Sequence, residues 1–313
     1  MSKEKDISEK TLLKWNDVFA DIINGFLCDG TSVVNQEDLT DSSPTSQFKV
    51  GSKLHEQERD VAKFWSKAGA RIAILGVENQ TKPDPDMAMR IIGYDGASYK
   101  EQALQHDAAK NDKEIQFIPP YPAITLVINY GKAPWNQPKS LLESIGKDNI
   151  PEELRPYFND YKIFVFDIVS MSKNEIEKFK SDFKHVAQVV WALGNHAPYA
   201  PSSQPLVHAD ETLKTISALT GDDKFQNAYN NIIQNGSEGG ISMCRITAEF
   251  EQRGEERGMK RGMERGMERG IDVAAAVVRS FRESGSVSQT ASANSLSEED
   301  TIAILKKFQM LPM

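Results

Sequence analysis

The chain has 313 residues, 39 % of them apolar, and a formal net charge of −8. That is enough apolar material for a sizeable core, while the lack of any run of eighteen apolar residues or of an apolar leading segment excludes a membrane-spanning helix and a secretory leader, so a cytoplasmic protein is expected. Residues 1–250 hold 27 basic and 35 acidic side chains and the remainder ten of each, which excludes a histone-like basic binder; Cys28 and Cys244 have no metal-ligand spacing, and His55, His106, His185, His196 and His208 form no zinc cluster.

Thr11 to Cys28 is the first predicted helix, with Leu12, Trp15, Phe19, Ile22, Ile23 and Phe26 at helical spacing and Asp29-Gly30 as its stop. Asp17 lies off that stripe. Residues 36–53, rich in Asp, Ser, Thr and Pro, are expected to form a loop able to act as a flap. Asp60 opens an extended segment through Trp65, and Arg71 to Gln80 is a strand. Its period of two puts Ile72, Ile74, Gly76, Glu78 and Gln80 on one face and Ala73, Leu75 and Val77 on the other. Glu78 and Gln80 therefore point the same way, with Asp60 across a hairpin. Oxygen donors so arranged can bind a hard divalent cation and leave water positions open, which suits phosphodiester hydrolysis. The bland alternative is a strand that ends in polar residues because it emerges into solvent.

Pro83 and Pro85 stop that strand, and a helix is predicted from about Asp86 to Gln105, with Arg90 and Tyr94 at i, i+4 and with Gly93 and Gly96 as candidate breaks. Arg90 either forks a phosphate oxygen or makes a structural ion pair. Ala123 to Asn129, nearly all apolar, is an interior strand; Tyr161 to Val169 is another, whose Asp167 is either paired structurally or close to the pocket. Ile176 to Leu193 is predicted as one long amphipathic helix, and Leu213 to Ile233 as a helical pair broken at Gly221-Asp222-Asp223. From Arg253 to Gly270 an Arg-Gly tetrapeptide repeats, and five glycines in eighteen residues would cost an isolated helix about 4–5 kcal/mol. A frayed helix or linker is expected there, acting as a nucleic-acid tether, a dimerising arm or simply a solvated spacer. The tail, 271–313, breaks at Gly285 and restarts at the capping box Ser297-Glu298-Glu299-Asp300, whose acids argue against insertion into a DNA groove.

Several stretches together resemble the recombination-promoting nuclease (Rpn), or putative transposase, family of the PD-(D/E)XK nuclease superfamily. They are Asn16-Asp17-Val18-Phe19; Asp60 opening a strand; Glu78-Asn79-Gln80; Asp84-Pro85-Asp86-Met87 leading to Arg90 and Tyr94; Pro122 to Gly131 followed by Trp135; and the Arg-Gly repeat. The resemblance implies a restriction-endonuclease-like α/β fold: a mixed central sheet flanked by helices, with C-terminal helical extensions. Its expected divisions are a nuclease-like core over 1–198, a helical extension over 199–250, the repeat over 251–270 and a small helical tail over 271–313. It further implies metal-dependent DNA endonuclease activity promoting recombination or mobile-element transfer, with Mg2+ (or Mn2+ or Ca2+) on Asp60 and Glu78 and with no organic cofactor. Gln80 stands where the superfamily has a lysine and is expected to orient water, since an amide is no general base. Lys63 and Lys82 are each either a stand-in for that cation or, as the spacing favours, a solvated surface lysine; Arg90 and Tyr94 are accessory residues, and Asp17 is either an extra pocket acid or a solvated one. DNA and a second copy joined through the C-terminal helices are the expected partners, with no membrane. The alternative is a catalytically degenerate fold that serves as a DNA-binding or assembly module, or a toxin or defence component held silent by a partner.

Overall fold

A computed structural model describes residues 10–42, 45–50, 53–112, 114–115, 117–236 and 240–312; of 45–50 and 53–58 it describes the backbone alone. The chain divides into two compact units, Met1–Thr247 and Ala248–Met313.

The first unit is built on a mixed five-stranded sheet, with strands β1 (Leu39–Asp41), β4 (Val61–Lys67), β5 (Ala70–Gln80), β6 (Ala123–Asn129) and β7 (Phe164–Asp167) in the order β1-β4-β5-β6-β7. The first two pairings are antiparallel, β5–β6 and β6–β7 parallel. Strands β2 (Thr45–Val50) and β3 (Lys53–Glu58) form a separate antiparallel hairpin. The predicted strands of this α/β core are therefore present. Residues 36–53, expected as an irregular loop, instead hold β1, β2 and the first residue of β3; 43, 44, 51 and 52 of that stretch lie outside the described residues. Composition hid β1 because only Leu39 of its three residues turns inward.

Helix α1 (Asn16–Leu27) covers one face of the sheet. Its Phe26 packs against Phe166 of β7, and its Phe19 lies under the Lys63 ammonium. The other face is covered by α2 (Met87–Asn111), whose Met87, Ala88, Ile91 and Tyr94 pack with Val127, Trp135 and Ile163. Helix α2 runs unbroken through Gly93 and Gly96. A helical glycine costs about 1 kcal/mol against alanine, and full burial of the flanking Ile91 and Tyr94 outweighs it.

Two other predicted helices are divided, in each case by a side chain distant in sequence. The first turn, at residues 10–13, is separated from α1 at Lys14-Trp15, where Lys63 Nζ donates to the Lys14 carbonyl at 2.8 Å. The helix expected over 176–193 is two. After the five-residue α3 (Leu141–Ile145) come a short α4 (Lys173–Ile176), closed at its start by the Ser172–Glu175 capping box, and α5 (Phe183–Gly194). Between α4 and α5 the Asp21 carboxylate of α1 accepts the Lys180 and Ser181 amides, holding that backbone out of a helix. The predicted pair is α6 (Ala209–Thr220) and α7 (Lys224–Gln234), divided at Gly221, which takes the left-handed conformation (φ 69°) that glycine adopts freely. Both cluster with the sheet in the first unit.

Helix α8 (Met243–Ser284) begins before the division between the units and contains the whole Arg-Gly repeat. The linker or frayed helix expected over 251–270 is corrected to regular helix. The residues between the glycines are good helix formers, none of those glycines takes a positive φ, and Arg253 pairs with Glu249 one turn away at 2.8 Å. The tail follows its sequence signals: Gly285 (φ 65°) ends α8, Ser286 caps α9 (Val287–Ala293), and Ser297 caps α10 (Glu298–Lys307) by accepting the Asp300 amide at 3.0 Å.

Candidate active site

Glu78 sits near the end of β5 on the face beneath α2, beside Val127 of the parallel neighbour β6. Asp60 immediately precedes β4, whose Val61 pairs with Val77. The hairpin thus brings the two carboxylates together at one end of the sheet. Asp60 Oδ2 accepts the Asn79 main-chain amide at 2.7 Å, which ties its position to β5.

Glu78 is fully buried. Its Oε2 lies 3.3 Å from Arg90 Nη2, whereas its Oε1 is buried with no hydrogen-bond partner. Burial, followed by the nearby negative charge of Asp60, pushes the Glu78 carboxyl up to about 8, against the opposing pull of Arg90, Tyr94 and the Asp60 amide. Arg90 is itself shared: Nη1 donates to Asp84 Oδ2 at 2.9 Å and Nη2 to the Tyr94 hydroxyl at 3.2 Å. Among Coulombic influences Glu78 is the largest that raises the Arg90 pKa, while burial pushes the Tyr94 hydroxyl up.

Beside this pair lies a second buried ionic cluster. Arg59 Nη2 donates to Asp95 Oδ1 at 2.6 Å, Thr125 Oγ1 donates to the same oxygen at 2.8 Å, and the Tyr161 hydroxyl donates to the other. Gly76 makes room for it: a Cβ there would stand 2.9 Å from Thr125 Oγ1 and 3.2 Å from Arg59 Cδ.

Of the residues singled out in the sequence, Asp60, Glu78, Arg90 and Tyr94 come together, and Gln80, buried at the strand end, shares the Glu78 face by alternation. Lys63 does not join them. It pairs in register with Leu75, so it lies on the α1 face, buried, and donates to Asp41 at 2.6 Å as well as to Lys14. Lys82 is exposed two residues past β5. Asp17 is engaged by His208 Nε2 at 2.9 Å, and Trp15 stacks on that imidazole at 4.2 Å. No cluster of three or more His, Cys, Asp or Glu side chains able to hold a metal occurs among the described residues, so Asp17 is not a third acid beside the pair. Asp167 is structural: its Oδ1 accepts from Asn129 at 2.7 Å and from the Trp135 amide at 2.8 Å, fixing the turn after β6.

Three participants escaped the sequence reading. Asp84 stands out in the sequence only as part of the Asp84-Pro85-Asp86-Met87 motif, and Asp95 carries no local signal. The third is Lys10, whose Nζ lies 3.2 Å from Asp60 Oδ1. Fifty residues separate that pair, and no periodicity connects them.

No helix among the described residues is long and apolar enough to cross a membrane. No curated protein and no solved structure matches the chain. Residues 10–196 match the family described as "Putative transposase, YhgA-like", which spans the sheet, α1, α2 and every residue of the site. The family resemblance read from Asp60, Glu78-Asn79-Gln80 and their neighbours is thereby borne out, and the chain belongs to this transposase family.

Proposed function

We propose that the chain is a metal-dependent endonuclease that hydrolyses DNA phosphodiesters, in keeping with the transposase or recombination-related role of its family. The observation that carries this reading is the unpaired, buried Oε1 of Glu78 next to a second carboxylate. Two acids held together away from water repel each other unless one keeps its proton or a cation lies between them, and the raised Glu78 carboxyl reflects its burial and then that repulsion. An all-oxygen donor set suits a hard ion, Mg2+ first and Mn2+ or Ca2+ as substitutes, with Asp60 and Glu78 as its protein ligands. Bound there, the ion would polarise the phosphate and acidify an attacking water.

The protein's own groups divide the remaining work. Gln80 offers an amide to orient water but takes up no proton. Arg90, braced by Asp84 and Tyr94, holds the Glu78 carboxylate in place. In the hydrolysis, a water oxygen bonds to phosphorus and the bond from phosphorus to the leaving ester oxygen breaks. The water yields one proton to solvent, and the leaving oxygen takes one up.

The test is nicking of supercoiled plasmid by the full chain and by Asp60→Ala and Glu78→Ala, with Mg2+, Mn2+, Ca2+ or EDTA. Metal-dependent nicking by wild type, lost in both folded variants, is the expected result. A second reading, a degenerate fold that binds DNA or a partner without cutting, draws support from Gln80 in the lysine position and from Arg90 already lying against Glu78. It prevails if wild type and variants bind DNA equally and none cuts. A second copy is the further proposed partner: Met259, Met263, Met267 and Ile271 recur every fourth residue along α8 and are all exposed. Light scattering on wild type and on Met263→Glu/Met267→Glu tests this, with dissociation expected in the double variant.

A further inference from the structure

A nuclease site built on Asp60, Glu78 and Gln80 has no cation in its strand motif, and the candidates nearest in sequence do not supply one. Lys63 is on the opposite sheet face, held by Asp41 and the Lys14 carbonyl. Lys82 lies beyond the strand end, and Arg90 is shared among Asp84, Glu78 and Tyr94. Lys10 reaches the site from elsewhere, with its ammonium 3.2 Å from Asp60 Oδ1.

We propose that Lys10 is the catalytic cation of this site, replacing through space the charge that Gln80 lacks and binding a non-bridging oxygen of the scissile phosphate as negative charge builds on it. This rests on the nuclease reading above. Lys10 keeps its proton throughout and acts as a point charge on a flexible stem.

Three features support the assignment. The lysine side chain is 24 % exposed and that of Asp60 9 %, so the pair lies at the edge of the protein and not sealed within the core. The turn that carries Lys10 is anchored, because Leu12 and Leu13 just after it are buried and the amides of Lys14 and Trp15 close back onto Thr11 and Leu12. Finally, the buried Lys63 pins the same turn to the sheet through the Lys14 carbonyl. Lys63 thus holds in place the segment that carries Lys10.

The experiment uses the full chain with Lys10→Gln, Lys10→Ala and Lys10→Arg, and reads two quantities. One is plasmid nicking with Mg2+ over a range of DNA concentrations; the other is Mn2+ affinity by calorimetry without DNA. The expected result for Lys10→Gln is a turnover about 100-fold lower with half-saturating DNA little changed. Its Mn2+ affinity should stay equal or become severalfold tighter, because a competing cation has left Asp60. Lys10→Arg should keep part of the turnover, and Lys10→Ala should match Lys10→Gln. Nicking at the wild-type rate by Lys10→Gln overturns the assignment and leaves the nuclease reading standing. Loss of Mn2+ affinity together with nicking also overturns it, making Lys10 a support for the carboxylates. If wild type binds Mn2+ yet nicks plasmid with none of Mg2+, Mn2+ or Ca2+, the nuclease reading falls and Lys10 falls with it.

Discussion

Two buried ionic clusters lie next to each other beneath α2, and they are finished to different degrees. In the Arg59–Asp95 cluster both carboxylate oxygens accept hydrogen bonds, from Arg59, Thr125 and Tyr161, and the unpartnered buried polar atom is Arg59 Nε. In the Asp60–Glu78 cluster a carboxylate oxygen is left without a donor while a second acid stands close by. Folding alone favours the first arrangement and works against the second. The contrast separates a carboxylate whose oxygens are both satisfied within the core from one that keeps an oxygen without a donor, although Arg59 and Asp60 are adjacent in the chain.

The sharpest way to break the comparison is Asp95→Ala. It strands a buried guanidinium and should cost about 3–5 kcal/mol in urea denaturation. In the other cluster the contribution of Glu78 depends on pH. The Glu78 carboxyl is raised from 4.5 to about 8 in the fold, so its contribution is fully present below pH 4.5 and is lost as pH rises through about 8. Metal-free wild type should lose about 3 kcal/mol between pH 5.5 and 8.5 relative to Glu78→Gln, read by denaturation at each pH. A flat difference between the two proteins would show that the carboxyl is not held in this way.

Divalent metal should repair the unfinished cluster. Mg2+ at a hundred times its dissociation constant stabilises by about 2.7 kcal/mol. The effect should be larger at pH 8.5 than at pH 6, where the ion must displace a proton from Glu78, and absent in Glu78→Gln; thermal shifts with and without EDTA measure it. The smallest effect is expected from Gly76→Ala, which crowds Thr125 and Arg59 and should cost about 1–3 kcal/mol at unchanged metal affinity. Weakened metal binding in that variant would mean that the two clusters are one unit.

Much of this arrangement was legible because it is local. Alternation in Arg71–Gln80 placed Glu78 and Gln80 on one face, an i, i+4 spacing joined Arg90 to Tyr94, and Gly221, Gly285 and Ser297 marked the helix ends found there. What was misread turns on distant partners. Lys63, read as a stand-in cation or a solvated surface lysine, is neither, because its register with Leu75 buries it on the other face, and Asp17, read as a pocket acid or a solvated one, is engaged by His208, 191 residues away. The helices expected over 11–28 and 176–193 were divided by Lys63 and Asp21, whose hold on the Lys14 carbonyl and on the Lys180 and Ser181 amides leaves no mark in hydrophobic periodicity.

By itself the sequence determined the longer strands and most helix ends, and the face that Glu78 and Gln80 share, because backbone periodicity and capping act over a few residues; strands β1 to β3 and the breaks in two helices escaped it. Tertiary structure alone decided which charges were satisfied within the core and which were left open. It also decided that Lys10, fifty residues from Asp60, would be the lysine beside it. The physical reason is that burial and Coulombic pairing depend on distance in space, and sheet register sets that distance only after the strands have paired.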